Sequence, residues 1–374
     1  MDLDLASDDD PRRQGVRAWL AANPAPTGRQ LAEAGYVVPH WPQPWGLDAD
    51  PIMQLVIDEE LKAAGVRRPV NPIGIGWAGP TLLRAGTDAQ KDRWLWPLIS
   101  GEAMWCQLFS EPGAGSDLAS LTTAAVLDGD EWVVSGQKVW TSLAHIARFG
   151  ILLARTDRLA PRHRGISYFV CPMDLPGIEV RPLVDMTGAH AFNEVFFDDV
   201  RIPTDHLVGD VNHGWELAKV TLANERVSLS AEGALWGRGP TAQDLVGLVG
   251  RSGGSDDAVL RQRLATVWSE GEILRTLRQR QTVAAASGRA RGPESSVRKA
   301  LADAHGQHLM NLGRDLAGPE AMLAGIGPTG ESDPEWSQGF LYSPALTIGG
   351  GTAEVQRNIV AEQVLGLPRD PAPT

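Results

Sequence analysis

Hydrophobic positions recur at helical spacing through the first hundred residues of the chain. In "PIMQLVIDEELKAAG" (51–65) and "GTDAQKDRWLWPLISG" (86–101), apolar side chains return every three or four positions, as on one face of an α-helix. Segments rich in proline and tryptophan, such as "VVPHWPQPWG" (37–46), separate these helical patterns. We therefore predict a mainly helical domain over residues 1–104.

After Met104 the pattern changes to short segments that alternate and are separated by turns. Examples are "LTTAAVLDGDEWVVSGQKVW" (121–140), "GISYFVCPMD" (165–174) and "NEVFFDDVRIP" (193–203). Alternation favours strands with one face in a core, and Asp128-Gly129-Asp130 between two such runs predicts a hairpin. Residues 105–210 are therefore predicted to form a β domain.

Long helical patterns return from Gly214 onward. They include "GWELAKVTLANERVSLSAEGALWG" (214–237), "DDAVLRQRLATVWSEGEILRTLRQRQTVAAA" (256–286) and "PESSVRKALADAHGQHLMNLGRDLAG" (293–318). The third predicted domain covers residues 211–374. Helices, then strands, then helices place the chain in the α+β class.

Composition narrows the possible partners. The net charge is 34 − 46 = −12 over 374 residues, so the surface repels nucleic-acid phosphates, and an anionic ligand needs local basic groups or N–H donors. Cys106 and Cys171 are the only cysteines, too few for a disulfide framework or a cysteine-based metal site, and we expect buried thiols. With no signal-peptide pattern and no apolar run of about 20 residues, we expect a soluble cytoplasmic protein without a membrane segment.

Two motifs carry candidate chemistry. "CQLFSEPGAGSD" (106–117) contains Gly113 and Gly115, but Leu118 replaces the third glycine of a dinucleotide fingerprint and no Walker lysine follows. Taken alone, it is either a plain turn or a turn whose N–H groups face an anion. "GQKVWTSLAHIA" (136–147) places an aromatic ring before two hydroxyls, which suits either a flat cofactor or a β-domain core.

Four segments resemble, in order and spacing, the signatures of the acyl-CoA dehydrogenase family. They are "SEPGAGSD" (110–117), "SGQKVWTS" (135–142), "NERVSLSAEGALWG" (224–237) and "GGGTAEVQRNIVAEQVLGLPR" (349–369). The resemblance covers nearly the whole chain. It implies an N-terminal helical domain, a central β-barrel-like domain and a C-terminal four-helix bundle, with FAD between the β domain and the bundle. The implied reaction is oxidation of an acyl-CoA thioester to the trans-2-enoyl thioester.

The resemblance also assigns roles to individual residues. Trp140 would pack on the flavin, with Ser142 near its hydride-accepting N5 atom, and Ser116 would lie where the thioester and the CoA arm pass. Arg226 would help order the CoA end of the site. The positions implied to hold FAD are Gln107, Leu108, Phe109, Ser110, Ser116, Trp140, Thr141, Ser142, Arg251, Thr352 and Glu354, and those implied to hold substrate are Ser116, Arg226 and Gly351.

The catalytic base is the main departure from the commonest family pattern. Many members carry a glutamate where this chain has Gly350, which keeps a backbone N–H for the thioester carbonyl but supplies no carboxylate. Glu225, in "LANERVSLS" (222–230), matches the position of the base in isovaleryl and long-chain members, which also have a small residue at the position of Gly350. The resemblance therefore implies a base that has moved to Glu225.

Other carboxylates and histidines are alternatives to Glu225. Glu232 lies two helical turns further on the same face and is the base if the site is one register along, whereas Glu216 lies a quarter-turn off that face. Exposed pairing of Glu225 with an arginine is the ordinary alternative to catalysis. His145, His190 and His213 fit turn or surface positions better, and no His-carboxylate pattern indicates a metal.

Two elements that reach a neighbouring subunit's FAD in the family are weakened. "GRSGGSDD" (250–257) keeps Arg251 without the usual phenylalanine, and "RDLAGPEAML" (314–323) replaces a glycine-rich turn. Members with such losses form heteromers, so the resemblance implies a homo- or hetero-tetramer with a second chain of the same kind, and an electron-transfer flavoprotein as acceptor. A partner-dependent, non-catalytic subunit and an acyl-CoA oxidase remain the alternatives.

Overall fold

A computed structural model describes residues 7–229, 234–236, 239–252, 256–286, 293–319 and 334–369. Two compact units divide the chain. One unit contains Met1–Val184 and His190–Leu222, and the other contains Asp185–Ala189 and Ala223–Thr374. Among the described residues, no helix is both long enough and apolar enough to cross a membrane.

The first unit begins with helices, as predicted. Helix α3 starts where Asp50 accepts a hydrogen bond from the Met53 N–H at 2.8 Å, and Thr87 forms a reciprocal capping box with Gln90 at the start of α5. The patterns at 51–65 and 86–101 correspond to α3 and α5. The helices are α1 (Pro11–Ala22), α2 (Gly28–Glu33), α3 (Pro51–Ala63), α4 (Gly79–Ala85) and α5 (Asp88–Ile99).

A single mixed sheet follows the helices. Its spatial order is β6-β7-β3-β2-β4-β5-β8, and β1 pairs in parallel with β4. Asp128 pairs with Glu131 across a turn in which Gly129 has φ +64°, so the predicted hairpin is confirmed. The strands are β1 (Trp105–Leu108), β2 (Ala124–Asp128), β3 (Glu131–Lys138), β4 (Phe149–Arg155), β5 (Ile166–Pro172), β6 (Ile178–Leu183), β7 (Phe192–Pro203) and β8 (Leu207–Val208).

Both faces of the sheet are covered at its centre. Ile151 and Leu153 of β4 belong to a cluster shared with the N-terminal helices, whereas Leu152 and Ala154 belong to the cluster on the other face. This double burial explains why β4 is a continuous apolar run without alternation. Cys106 and Cys171 are free thiols, buried as expected.

The second unit is helical. Helix α6 begins in the first unit and continues into the second, and α9 packs against α7, α8, α10 and α11. The ring of Trp336 in α10 packs directly on the backbone of α9 at Gly313, where an added Cβ would overlap the ring. The helices are α6 (Gly214–Leu229), α7 (Ala242–Ser252), α8 (Ala258–Ala286), α9 (Glu294–Ala317), α10 (Pro334–Tyr342) and α11 (Ala353–Ile359).

Candidate active site

Two motifs meet in the first unit at the ends of β1 and β3. The Lys138 ammonium donates to the Phe109 carbonyl at 3.0 Å, and the Val139 N–H donates to the Ser110 carbonyl at 2.9 Å. The segment Gln107–Ser110 therefore lies beside the segment that leads to Trp140. Leu108 is fully buried in the sheet core, where it pairs with Leu152 of β4.

Glu111 and Lys138 form a buried ion pair beneath these motifs. Their charged atoms lie 2.8 Å apart, and the Glu111 carboxylate also accepts from the Thr122 N–H at 2.7 Å, the Thr122 hydroxyl at 2.8 Å and the Thr123 N–H at 2.9 Å. Burial acts to raise the pKa of Glu111, but the Lys138 charge and these donors together hold it at about 2. Glu111 is therefore a permanent anion that ties both motifs to the sheet.

The turn after Glu111 is open to solvent. Gly113, Gly115 and Ser116 are exposed, and Asp117 at its end pairs with Arg162. A Cβ at either glycine would meet no atom within 4 Å, so neither glycine is required by crowding in the chain itself. Ser116 is accessible to a ligand here, as its implied role requires.

Residues 140–142 form a partly exposed loop whose backbone is strained at Trp140. Trp140 has φ +60°, an uncommon backbone conformation for a bulky residue, and 61% of its surface is exposed. The next residue is fixed because the N–H groups of Thr141 and Asn193 each donate to the other residue's carbonyl at 3.0 Å. Thr141 is fully buried, and its hydroxyl has no hydrogen-bond partner in the described parts of the chain.

Glu225 lies on the buried face of α6. The exposed fraction of this residue is 9%, and it follows Leu217, Ala218 and Thr221 on the same buried stripe, whereas Glu216 is exposed. Arg226 is half-buried, and burial lowers the pKa of its guanidinium, opposed by the neighbouring Glu225 charge. A buried Glu225 departs from the ordinary exposed Glu-Arg pair.

A second buried ion pair lies on α9 near Glu225. The Lys299 ammonium contacts both oxygens of Asp303, at 2.6 and 2.7 Å, and donates to the Leu346 carbonyl at 3.0 Å. Burial lowers the pKa of Lys299, against the opposing charges of Asp303 and Glu225. Lys299 therefore links α9 to the segment that leads to Gly350 and lies within electrostatic reach of Glu225.

The glycine loop, residues 349–351, precedes α11. Gly350 and Gly351 have φ +68° and +91°, and the Gln356 side-chain amide donates to their carbonyls at 3.0 and 3.1 Å. Thr352 caps α11 by accepting from the Val355 N–H. Glu354 is exposed in the first turn of α11, where backbone and Thr352 hydrogen bonds lower its pKa.

The predicted site residues therefore fall into two groups. Gln107–Ser110, Ser116 and Trp140–Ser142 lie in the first unit, and Glu225, Arg226 and residues 350–354 lie in the second. The side chain of Arg251 and the whole of Glu232 lie outside the described residues. Lys299, Asp303 and Gln356 were not predicted; the lysine and aspartate stand four residues apart on a helix, which is the only signal the sequence offers for them.

The side chains of residues 140–142 are suited to contact a flavin. A half-exposed indole offers an apolar face for a flat ring system, and the unpartnered Thr141 hydroxyl and the half-buried Ser142 offer hydrogen-bonding groups for its polar edge. Among the described residues, no group of three or more His, Cys, Asp or Glu side chains is arranged to hold a metal ion.

Comparison with known families identifies the class. Models of the acyl-CoA dehydrogenase N-terminal, middle and C-terminal domains match residues 11–102, 106–200 and 212–365. The chain belongs to the acyl-CoA dehydrogenase family. The three-domain architecture inferred from the sequence is thereby confirmed, as is the assignment to an FAD-dependent oxidoreductase.

Two acyl-CoA dehydrogenases of Mycobacterium tuberculosis are similar to this chain over most of its length. Acyl-CoA dehydrogenase FadE34 of Mycobacterium tuberculosis is 44% identical over 91% of this chain, and the match spans only 46% of FadE34. Acyl-CoA dehydrogenase IpdE1 of the same organism is 40% identical over 95% of this chain and 88% of its own length.

Two solved structures share the fold and part of the sequence. The Tcur3481-Tcur3483 steroid ACAD is 30% identical with a TM-score of 0.78, covering 96% of this chain and 97% of that one. The ChsE4-ChsE5 complex from Mycobacterium tuberculosis is 28% identical with a TM-score of 0.76, covering 99% of this chain and 100% of that one. Heteromeric members are therefore among the similar structures.

Proposed function

We propose that this protein dehydrogenates an acyl-CoA thioester between its α- and β-carbons, with Glu225 as the base. The observation that carries the proposal is the burial of Glu225 on α6, within electrostatic reach of the lysine that holds the segment before Gly350. Proton abstraction from a weak carbon acid requires a carboxylate positioned at the α-carbon, and an exposed glutamate such as Glu216 is not held in this way.

Each group then has one task. Bound FAD supplies the acceptor for the hydride that leaves the β-carbon with two electrons. Glu225 takes the α-proton as the carbon–carbon double bond forms, so atoms and electrons balance. The Gly350 N–H donates to the thioester carbonyl oxygen, where negative charge develops during abstraction. Glycine at this position leaves room beneath the substrate while keeping the donor.

The test is Glu225→Gln in the FAD-loaded protein. We expect FAD to stay bound while the rate of flavin reduction by substrate, measured by stopped-flow absorbance, falls about 10²–10⁴-fold because the base is lost. Glu216→Gln is the matched control, since it changes an exposed glutamate of the same helix and should leave the rate unchanged. A normal rate in Glu225→Gln would reject this base and direct attention to Glu232 or to a partner chain.

For the substrate we propose a bulky acyl group, branched or polycyclic. The small residue at Gly350 and the likeness to a structure described as a steroid ACAD support this choice. Turnover should be compared for CoA thioesters of short linear, branched and steroid-derived acids. A clear preference for short linear chains would overturn the proposal.

For the partners we propose a heterotetramer with a second acyl-CoA dehydrogenase-like chain and an electron-transfer flavoprotein as electron acceptor. The altered elements at 250–257 and 314–323, together with the likeness to the ChsE4-ChsE5 complex, support the heteromer. Co-expression with candidate partner chains should raise the FAD content per chain. A homotetramer that binds a full complement of FAD without a partner would contradict the heteromer. An FAD-loaded heteromer whose activity is unchanged by Glu225→Gln would favour a non-catalytic role for this chain. Rapid oxygen consumption during turnover would favour an oxidase.

A further inference from the structure

Three consecutive glycines form the loop at 349–351. Glycine lacks a Cβ and has the widest choice of backbone conformations, so ordering such a loop costs more conformational entropy than ordering any other three residues. A backbone N–H acts as an effective donor to a reacting carbonyl only when its position is fixed in advance. The loop therefore requires contacts from outside itself.

Gln356 supplies those contacts. Its side chain is fully buried, and its Nε2 atom donates to the carbonyls of both Gly350 and Gly351, at 3.0 and 3.1 Å. A Cβ added at Gly351 would lie 2.6 Å from the same nitrogen, so the amide also restricts which residue can stand there. One side chain thus holds two successive peptide groups.

The direction of these bonds determines where the donors point. In a trans peptide group, the N–H points opposite to the C=O of the same group. The carbonyls of Gly350 and Gly351 point inward to Gln356, so the N–H groups of Gly351 and Thr352 point away from it. Both glycines are partly exposed, whereas Gln356 is not. The N–H side of the loop is therefore its accessible side.

Lys299 holds the same loop from its other end. Its ammonium donates to the Leu346 carbonyl, three residues before the first glycine, and is anchored by Asp303. With Gln356 on one side and Lys299 on the other, the glycine loop is bounded by two fully buried polar side chains.

We propose that Gln356 is a positioning residue for the reaction, because it fixes the two peptide groups from Gly350 to Thr352 and thereby the direction of the loop's N–H donors. It does not touch the reacting atoms. The proposal rests on the proposed function and acts on its Gly350 amide indirectly: that N–H belongs to the peptide group just before the two that Gln356 holds, so Gln356 limits its position by fixing the carbonyl end of Gly350. Helix stabilisation alone is the competing role, because Gln356 lies in the first turns of α11.

The first test is Gln356→Leu in the FAD-loaded protein, in its complex if one is required. We expect the rate of flavin reduction at saturating substrate to fall about 10–100-fold, the scale of a small misplacement of catalytic groups, with little change in KM. Gln90→Leu is the matched control: Gln90 is also buried, and its Nε2 donates to the carbonyls of Asp205 and Leu207 at 2.8 and 2.7 Å. It should lower Tm while keeping the reduction rate per bound flavin.

The second test is Gln356→Glu, which keeps the shape of the side chain. An ionised carboxylate has no proton to donate to the two carbonyls, whereas the protonated acid has one. The reduction rate of this variant relative to the unmodified protein should therefore rise as pH falls. A purely structural role of Gln356 would not produce a pH-dependent recovery, and this variant carries the test if Gln356→Leu fails to fold.

Hydrogen exchange gives a readout independent of activity. Amides of the peptide covering 346–356 should exchange faster in both Gln356 variants, while those of α8 remain unchanged. A normal reduction rate in Gln356→Leu, or a flat pH ratio in Gln356→Glu with unchanged exchange, would overturn the proposal. If Glu225→Gln is slow but the Gln356 variants are not, only this inference fails; if all of them react normally, the proposed function fails.

Discussion

Each compact unit contains a lysine withdrawn entirely from water, and the two lysines are bound in similar ways. Lys138 in the first unit contacts Glu111 and the Phe109 carbonyl, and Lys299 in the second contacts Asp303 and the Leu346 carbonyl. Each pair holds a backbone segment of the candidate site. The carboxylates, however, differ in their surroundings.

Glu111 accepts three further hydrogen bonds from Thr122 and Thr123, two of them from backbone N–H groups, and its pKa is about 2. Both oxygens of Asp303 accept from Lys299, and burial raises the pKa of Asp303 to about 6. Glu111 therefore stays ionised where three further donors add to its lysine, whereas burial outweighs the favourable interactions around Asp303. Glu111 keeps its charge at neutral pH, while burial lowers the pKa of its partner Lys138 to about 8, and Asp303 titrates just below neutrality with a pKa of about 6.

Among these charged residues, substitution of Glu111 should lower the stability of the protein most. Glu111→Gln leaves the Lys138 ammonium without its counter-charge and places an amide NH₂ among donors, so we expect the free energy of unfolding to fall by about 3–5 kcal/mol. Urea unfolding followed by circular dichroism measures the loss. Glu131→Gln is the control, because the ion pair of Glu131 with Arg201 is exposed and should contribute less than about 1 kcal/mol. Equal losses in the two variants would contradict the anchor role.

The two carboxylates should also respond to pH in opposite directions. The pKa of Glu111 is lowered from 4.5 to about 2 by folding, so its contribution is present above pH 4.5 and is lost as pH falls through that range. The pKa of Asp303 is raised from 3.8 to about 6, so the folded protein loses stability relative to an untitratable side chain as pH rises through that range. Each of these pKa differences corresponds to a change of about 3 kcal/mol in the free energy of unfolding across its pH range.

Urea unfolding between pH 3 and 7 therefore separates the pairs. The stability cost of Glu111→Gln should grow as pH rises from 3 to 4.5, and the cost of Asp303→Asn should shrink as pH rises from 4 to 6. Costs that change with pH in the same direction would show that the donors around Glu111 do not set its ionisation.

At neutral pH, Asp303→Asn should cost less than Glu111→Gln. Burial raises the pKa of Asp303 to about 6, so its charge contributes less to stability than that of Glu111, and Lys299 keeps the Leu346 carbonyl and the nearby Trp236 ring, 5.8 Å from its nitrogen. We expect a loss of about 1–3 kcal/mol in the free energy of unfolding, the range for a buried polar group that loses one partner. A loss above that of Glu111→Gln would reverse the order of the two pairs.

The sequence predicts the elements of this fold better than it predicts these pairs. Periodicity identifies α3, α5 and the hairpin at Gly129, because local spacing and turn chemistry decide those elements. Strand β4 runs from Phe149 to Arg155, and its residues up to Ala154 show no alternation of apolar and polar positions because both faces of the strand are buried. The pattern alone does not distinguish it from a buried helix.

For the candidate site, family resemblance predicts Glu225, and the structure adds that this residue is buried. Lys299 and Asp303 stand four residues apart on α9, a spacing more often found for an exposed helix pair, and their burial depends on packing against distant segments such as Leu346. Gln356 lies within the family signature at 349–369, but it donates to carbonyls of glycines, which leave no side-chain pattern to indicate the contact.

The smallest effect on stability is expected for an exposed ion pair on α9, the helix that also carries Asp303. Asp315 of α9 contacts Arg263 of α8 at 2.7 Å, but the two side chains are 36% and 47% exposed. Solvent already stabilises both charges, so Asp315→Asn should change the free energy of unfolding by less than about 1 kcal/mol and lose even that in high salt. Urea unfolding at low and high ionic strength measures both the loss of stability and its dependence on salt. A cost equal to that of Asp303→Asn would mean that burial does not distinguish the two aspartates of α9, and the contrast between anchored and solvated charges would fail.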